Sequence, residues 1–162
     1  MQIAVISDTH DNILKLDELL KGLKNIDVLV HCGDLCSPIT IEKIKEHVKS
    51  IPVHIVWGNM DEDKDSLIKA GIDAPNIIFH ENFAKFSFDG LSVGVTHFRS
   101  IALELSINEP YDLILFGHTH EPEEIHLRGR LLVNPGEVLG KKGKSTYAVI
   151  ETDPLQVEFR EV

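Results

Sequence analysis

The sequence predicts an α/β fold, a single domain with two β-sheets, on three observations. Residues 3–56 alternate short continuous apolar runs with segments of helical period, the pattern of right-handed strand–helix–strand crossovers. From residue 83 onward, turn dipeptides join successive apolar runs, which is the pattern of hairpins. The chain has 162 residues, 43% of them hydrophobic, enough for one continuous core, and it carries no internal repeat or low-complexity tract.

The elements follow in order. Residues 3–6 form a continuous apolar run that reads as a buried parallel strand. Residues 12–23 carry Ile13, Leu16, Leu19, Leu20 and Leu23 at helical spacing, with Asn12 as the N-cap. A second strand is expected at 28–30, and a helix opened by Ser37-Pro38 should run to about residue 49. A third strand is expected at 52–56. Two strands at 83–88 and 91–95 flank Asp89-Gly90, the strongest hairpin signal in the chain. A short helix at 101–107 precedes a buried strand at 113–116, and further hairpins should turn at Arg128-Gly129 and Asp153-Pro154. The later sheet is therefore expected to be largely antiparallel.

The totals narrow the function classes. Sixteen Lys and Arg against 26 Asp and Glu give a net charge of −10, which disfavours nonspecific nucleic-acid binding. No apolar run is long enough to cross a bilayer. The chain opens directly into a core strand with no basic leader, so no signal peptide, no membrane association and a cytoplasmic location are the expectations. Cys32 and Cys36 are the only cysteines and read as reduced, structural thiols rather than a disulfide or a soft-metal site.

Five apolar runs end in a restricted set of polar residues. They lead into Asp8-Thr9-His10, Gly33-Asp34, Gly58-Asn59, His97 and Gly117-His118-Thr119-His120. Ligands bind at the carboxyl ends of strands in α/β sheets, so these groups should converge on one cleft. In extended backbone, residues two apart point the same way, which would aim Asp8 with His10 and His118 with His120. Alone, an Asp-x-His reads as a turn acid with a surface histidine, and Gly-Asp or Gly-Asn as ordinary turns. The ordered set of five is what points to metal binding. Imidazoles with carboxylate and amide oxygens, and no thiolate, suit manganese, iron, cobalt, nickel or zinc better than calcium or magnesium. Seven groups exceed one tetrahedral ion and suffice for two ions sharing a carboxylate.

In this order the motifs resemble the calcineurin-like metallophosphoesterase superfamily, and in the small single-domain form of its YfcE-type bacterial and archaeal phosphodiesterases; Asn134-Pro135-Gly136 is similar to a turn of that group. The resemblance implies a four-layer sandwich, two mixed sheets face to face with helices outside. It implies that Asp8, His10 and His120 hold one ion, that Asn59, His97 and His118 hold a second, and that Asp34 bridges them. A hydroxide shared by two divalent ions, manganese or nickel favoured, would attack phosphorus in line, with Asn59 stabilising charge. Asn12 and Asn59 are candidate substrate contacts.

The chain departs from the family where a proton-donating histidine is common: that position is Met60, beside a retained Asp61. The general acid is thus unassigned, with His31, a bound water or the substrate as sources. His31, His47, His54, His80 and His126 read as surface or half-buried histidines, and Arg99 and Glu121, Glu123 and Glu124 as a solvated rim. A phosphate ester substrate is implied. The alternatives to a phosphodiesterase are a phosphomonoesterase with the same site and a protein-binding scaffold that retains the fold.

Overall fold

The computed structural model describes residues 1–162 as four layers. Strands β1 (Gln2–Ile6), β2 (Val28–His31), β3 (Val53–Ile55) and β4 (Ile77–Phe79) pair in parallel. Strands β10 (Thr146–Thr152) and β11 (Leu155–Glu161) form a hairpin that adds antiparallel to β1 and completes a six-stranded sheet in the order β11-β10-β1-β2-β3-β4. The second sheet has the order β5-β6-β7-β9-β8, built from β5 (Phe83–Phe88), β6 (Leu91–Thr96), β7 (Leu113–Leu115), β8 (Pro122–Leu127) and β9 (Arg130–Pro135).

Alternation along the strands sorts side chains between the layers. Ile3, Val5, Val28 and Val30 of the first sheet meet Val93, Val95, Leu113, Leu115, Leu131 and Val133 of the second, forming the core between the sheets. The other face of the first sheet, including Ala4, Ile6 and Leu29, packs on Leu16, Leu19 and Leu20 of α1 (Ile13–Gly22), Ile41 and Ile44 of α2 (Pro38–His47) and Leu67 of α3 (Lys64–Ala70). Ile114, Phe116 and Leu132 of the second sheet pack on Ala102 of α4 (Arg99–Asn108). Each fully buried Leu or Ile stabilises this arrangement by roughly 1.5–3 kcal/mol.

The helix boundaries have local causes. The Asn12 side chain accepts from the Lys15 N–H and caps α1, while Pro38 enters the first turn of α2, where a missing N–H costs nothing. The hairpins at Asp89-Gly90, Arg128-Gly129 and Asp153-Pro154 occur as expected. The later sheet is not largely antiparallel, however: β6–β7 and β7–β9 pair in parallel, leaving only its two edge pairings antiparallel. Helix α3 and strand β4 lie in a stretch for which the sequence predicted no element. No helix is long and apolar enough to cross a membrane.

Candidate metal centre

The seven candidate residues follow the carboxyl ends of five parallel strands, three in the first sheet and two in the second. Backbone bonds stitch those exits together. The Asp8 N–H donates to the Gly33 carbonyl, the His10 N–H to the Asp34 carbonyl, and the Gly117 N–H to the His97 carbonyl. Space at the crossing is limited. A Cβ at Gly58 would sit 2.1 Å from Asp34 Oδ1, and one at Gly117 would sit 2.0 Å from Ser7 Oγ. Glycine at these two places allows the close approach.

The paired residues converge by a different route from the one the spacing predicts. Asp8, His10, Asp34, His118 and His120 have φ of 53°, 40°, 61°, 71° and 62°, which is left-handed rather than extended backbone. Non-glycine residues held in that region cost of order 1–3 kcal/mol each and cluster at functional sites. Strained turns after the strands, not strand pleating, aim these side chains.

Each carboxylate divides its oxygens between scaffold and cleft. Asp8 Oδ2 accepts from the Ser7 hydroxyl at 2.5 Å and the His118 N–H at 3.0 Å, while Asp8 Oδ1 faces His120 Nε2 at 3.2 Å and His10 Nε2 at 3.8 Å. Asp34 Oδ1 accepts from the Met60 N–H at 2.8 Å, and Asp34 Oδ2 stands 3.4 Å from His10 Nε2 and 3.5 Å from His97 Nε2. Beyond it, His97 Nε2 is 3.1 Å from Asn59 Oδ1 and 3.2 Å from His118 Nδ1. The result is two clusters of donor atoms that share Asp34 Oδ2. Asp8, Asp34 and His97 form a buried floor, and Asn59 and His118 stand exposed at the mouth.

The donor chemistry fits a cation. Asp8 Oδ1 and His10 Nε2 are buried without a hydrogen-bond partner, a costly arrangement that a positive ion between them would relieve. The ligand atoms of Asp8, His10, Asp34 and His120 all lie within 4.8 Å of one another. His97 Nδ1 donates to the Cys32 carbonyl at 2.7 Å, so its Nε2 can face the oxygens of Asn59 and Asp34 only across a proton or a cation. Burial pushes the Asp8 and Asp34 carboxyls up, but the surrounding imidazoles, hydroxyl and N–H groups outweigh it and hold both below the ordinary carboxylate value. Asp8 raises the His10 pKa against burial, and for His97 the pull of burial is outweighed by Asp34, Asp8 and the Cys32 carbonyl. The cleft attracts positive charge and takes protons when nothing else supplies it.

The surrounding residues correct several expectations. His31 is fully buried, not a surface histidine: its Nδ1 accepts from the Gly33 N–H, so its Nε2–H donates to Thr9 Oγ1, which in turn reaches the Asp34 carbonyl. Burial pushes its pKa down to about 4, so it holds no spare proton near neutrality. Asp61 is a clamp. Its two oxygens accept the N–H groups of Asp34, Leu35, Cys36 and Gly58, which commits all its acceptor capacity to backbone. It has none left to orient an imidazole at position 60, where Met60 is 46% exposed. Asn12 accepts the Lys15 N–H as the helix cap and donates one amide N–H to the Leu139 carbonyl. Arg99 forks onto Glu123, and Glu121 pairs with Lys142.

Sequence reasoning missed Glu137. It is buried, with Oε2 2.6 Å from His120 Nδ1; the available signal was an acid directly after Asn134-Pro135-Gly136, inside an apolar stretch. That turn braces the last ligand loop, because Asn134 Nδ2 donates to the Gly117 carbonyl and to Thr119 Oγ1.

A family model, the calcineurin-like phosphoesterase superfamily domain, matches residues 1–154. The chain belongs to this superfamily. It is 32% identical over 170 residues to phosphodiesterase MJ0936 of Methanocaldococcus jannaschii, covering 100% of this chain and 98% of that one. A solved archaeal phosphodiesterase superposes with a TM-score of 0.92 at 26% identity, with both chains covered in full. The Escherichia coli phosphoesterase YfcE shares the fold, with a TM-score of 0.73 at 18% identity and coverage of 100% and 98%. The calcineurin-like phosphoesterase reading from the motifs, in its small YfcE-type form, therefore holds, as does the fold of two mixed sheets between helices.

Proposed function

We propose that this metallophosphoesterase is a phosphodiesterase that works with two divalent transition-metal ions. Asp8, His10, Asp34 and His120 would hold the first ion, and Asp34, Asn59, His97 and His118 the second. The observation that carries this reading is Asp34 Oδ2, which lies within 3.5 Å of an imidazole nitrogen from each cluster. Four imidazoles among the seven donors favour manganese or nickel over magnesium, with iron, cobalt and zinc compatible with the same set. When bound, such ions act as Lewis acids on the phosphate oxygens and bring a water molecule to a nucleophilic pKa near neutrality.

The chain's own residues supply the rest. Asn59 and His118 at the exposed mouth meet the substrate phosphate first, and the Asn59 amide N–H₂ can donate to an oxygen that gains charge. Asp8 and Asp34 are held ionised by their neighbours, so the cleft floor is anionic before any cation enters. Neither His31 nor Met60 delivers a proton to the leaving group, which favours substrates whose leaving group departs without one. Diester over monoester chemistry is supported by the 32% identity to an archaeal phosphodiesterase.

Exhaustive chelation should abolish hydrolysis of an aryl phosphodiester, and manganese or nickel should restore it better than magnesium. Turnover that survives chelation would exclude the proposal. Faster cleavage of the matching aryl monoester would favour a phosphomonoesterase instead.

A further inference from the structure

We propose that Glu137 is a positioning residue that fixes the tautomer and aim of His120 and so sets the cation affinity of the Asp8 half of the cleft. The inference rests on the metal reading of that cleft. A buried carboxylate is expensive unless each oxygen is paired, and Glu137 pairs both. Its Oε2 lies 2.6 Å from His120 Nδ1, and its Oε1 accepts the Lys142 N–H at 2.5 Å. An ionised carboxylate only accepts, so Nδ1 carries the proton and the Nε2 lone pair is left facing Asp8 Oδ1 at 3.2 Å.

Two of the other imidazoles have weaker backing. His97 Nδ1 donates to the Cys32 carbonyl, and His10 Nδ1 faces only Cys36 Sγ at 3.4 Å. A carboxylate behind the ring makes its far nitrogen a stronger donor than a carbonyl or a thiol does. Glu137 is also rigidly placed. Asn134 Oδ1 accepts the Gly136 N–H, and the Val138 and Leu139 N–H groups donate to the Ser7 and Asp8 carbonyls. The carboxylate therefore stands on the same backbone ladder as the aspartate it serves through His120.

The test is a Mn²⁺ titration of the chelator-treated full chain, native and Glu137→Gln. Glutamine keeps the volume and can still accept the Lys142 N–H, so the melting temperature of the metal-free variant should stay within a few degrees of native. One of the two ions should bind about 10–100-fold more weakly, the size of effect expected for a lost outer partner, while the other is unchanged. Unchanged affinity for both ions, or a loss of melting temperature alone, would overturn the role of Glu137 and leave the metal reading standing. No Mn²⁺ binding by the native chain would sink that reading and this one with it. If the variant does not fold, ¹⁵N-histidine spectra of the zinc-loaded native chain decide. His120, assigned with His120→Asn, should carry its proton on Nδ1, and a protonated Nε2 would refute the proposal.

Discussion

The half of the cleft around Asp8 and the half around His97 share Asp34 but satisfy their polar atoms differently. Around Asp8, two buried atoms, Asp8 Oδ1 and His10 Nε2, have no hydrogen-bond partner. In the other half, both ring nitrogens of His97 have a neighbour in range: Nδ1 the Cys32 carbonyl, Nε2 both Asn59 Oδ1 and His118 Nδ1. The first half offers two carboxylates and the second only the shared one, so the first is the stronger trap for a dication. Glu137 behind His120 adds to that inequality. On the proposed two-ion reading, the cleft would hold its two cations with unequal strength.

The sharpest way to break the comparison is to remove what the halves share. Asp34→Ala should cost diesterase activity about 10³-fold, since several kcal/mol of charge stabilisation are lost at one position. Asp61→Asn should act on both halves by another route, through backbone. Asparagine can accept only part of four N–H bonds, and each bond to a charged acceptor contributes roughly 1.5–3 kcal/mol. The metal-free variant should lose about 3 kcal/mol or more, a fall in melting temperature of roughly 6–12 °C. In a thermal scan with chelator present, a native-like melting curve for Asp61→Asn would show that the clamp contributes little.

A smaller effect is set by pH. His10 and His97 have raised pKa values, so the stability their protons contribute is fully present below the unfolded value of 6.5 and is lost as pH rises through the folded values. Burial pushes His31 and His54 down to about 4, so they destabilise the fold as pH falls from 6.5 toward 4. The metal-free protein should therefore be most stable between these two arms. Saturating manganese should remove the alkaline arm, because a cation replaces the protons in both halves. His54→Gln should make the acid arm shallower, with the His31 share remaining, and leave the alkaline one alone. Melting temperatures recorded from pH 4 to 9 check this, and an alkaline arm that manganese does not alter would contradict it.

The contrast also explains which parts were legible in the sequence. Continuous runs such as residues 3–6 and 28–30 announce buried strands whatever surrounds them, and each candidate ligand follows such a run, so the seven stand out as one set of candidates. Local turn dipeptides reveal antiparallel neighbours only. The parallel pairings of β7 with β6 and β9 carry no local mark, which is why the sequence predicts a largely antiparallel later sheet where the structure has a mixed one. Helix α3 has seven residues with Leu67 alone buried, and β4 has three residues, too short for a period to emerge. Glu137 and Asp61 were illegible in a different way. Their roles depend on partners 17 to 27 residues distant, and Asp61 in particular turned out to clamp backbone rather than stand ready for an imidazole beside it.

Calorimetric titration of the chelator-treated chain with manganese tests the central claim most directly. Two ions should bind per chain, the first more tightly than the second, and Asp34→Ala should weaken both together. A single ion, or two whose affinities are untouched by Asp34→Ala, would contradict the shared-carboxylate cleft.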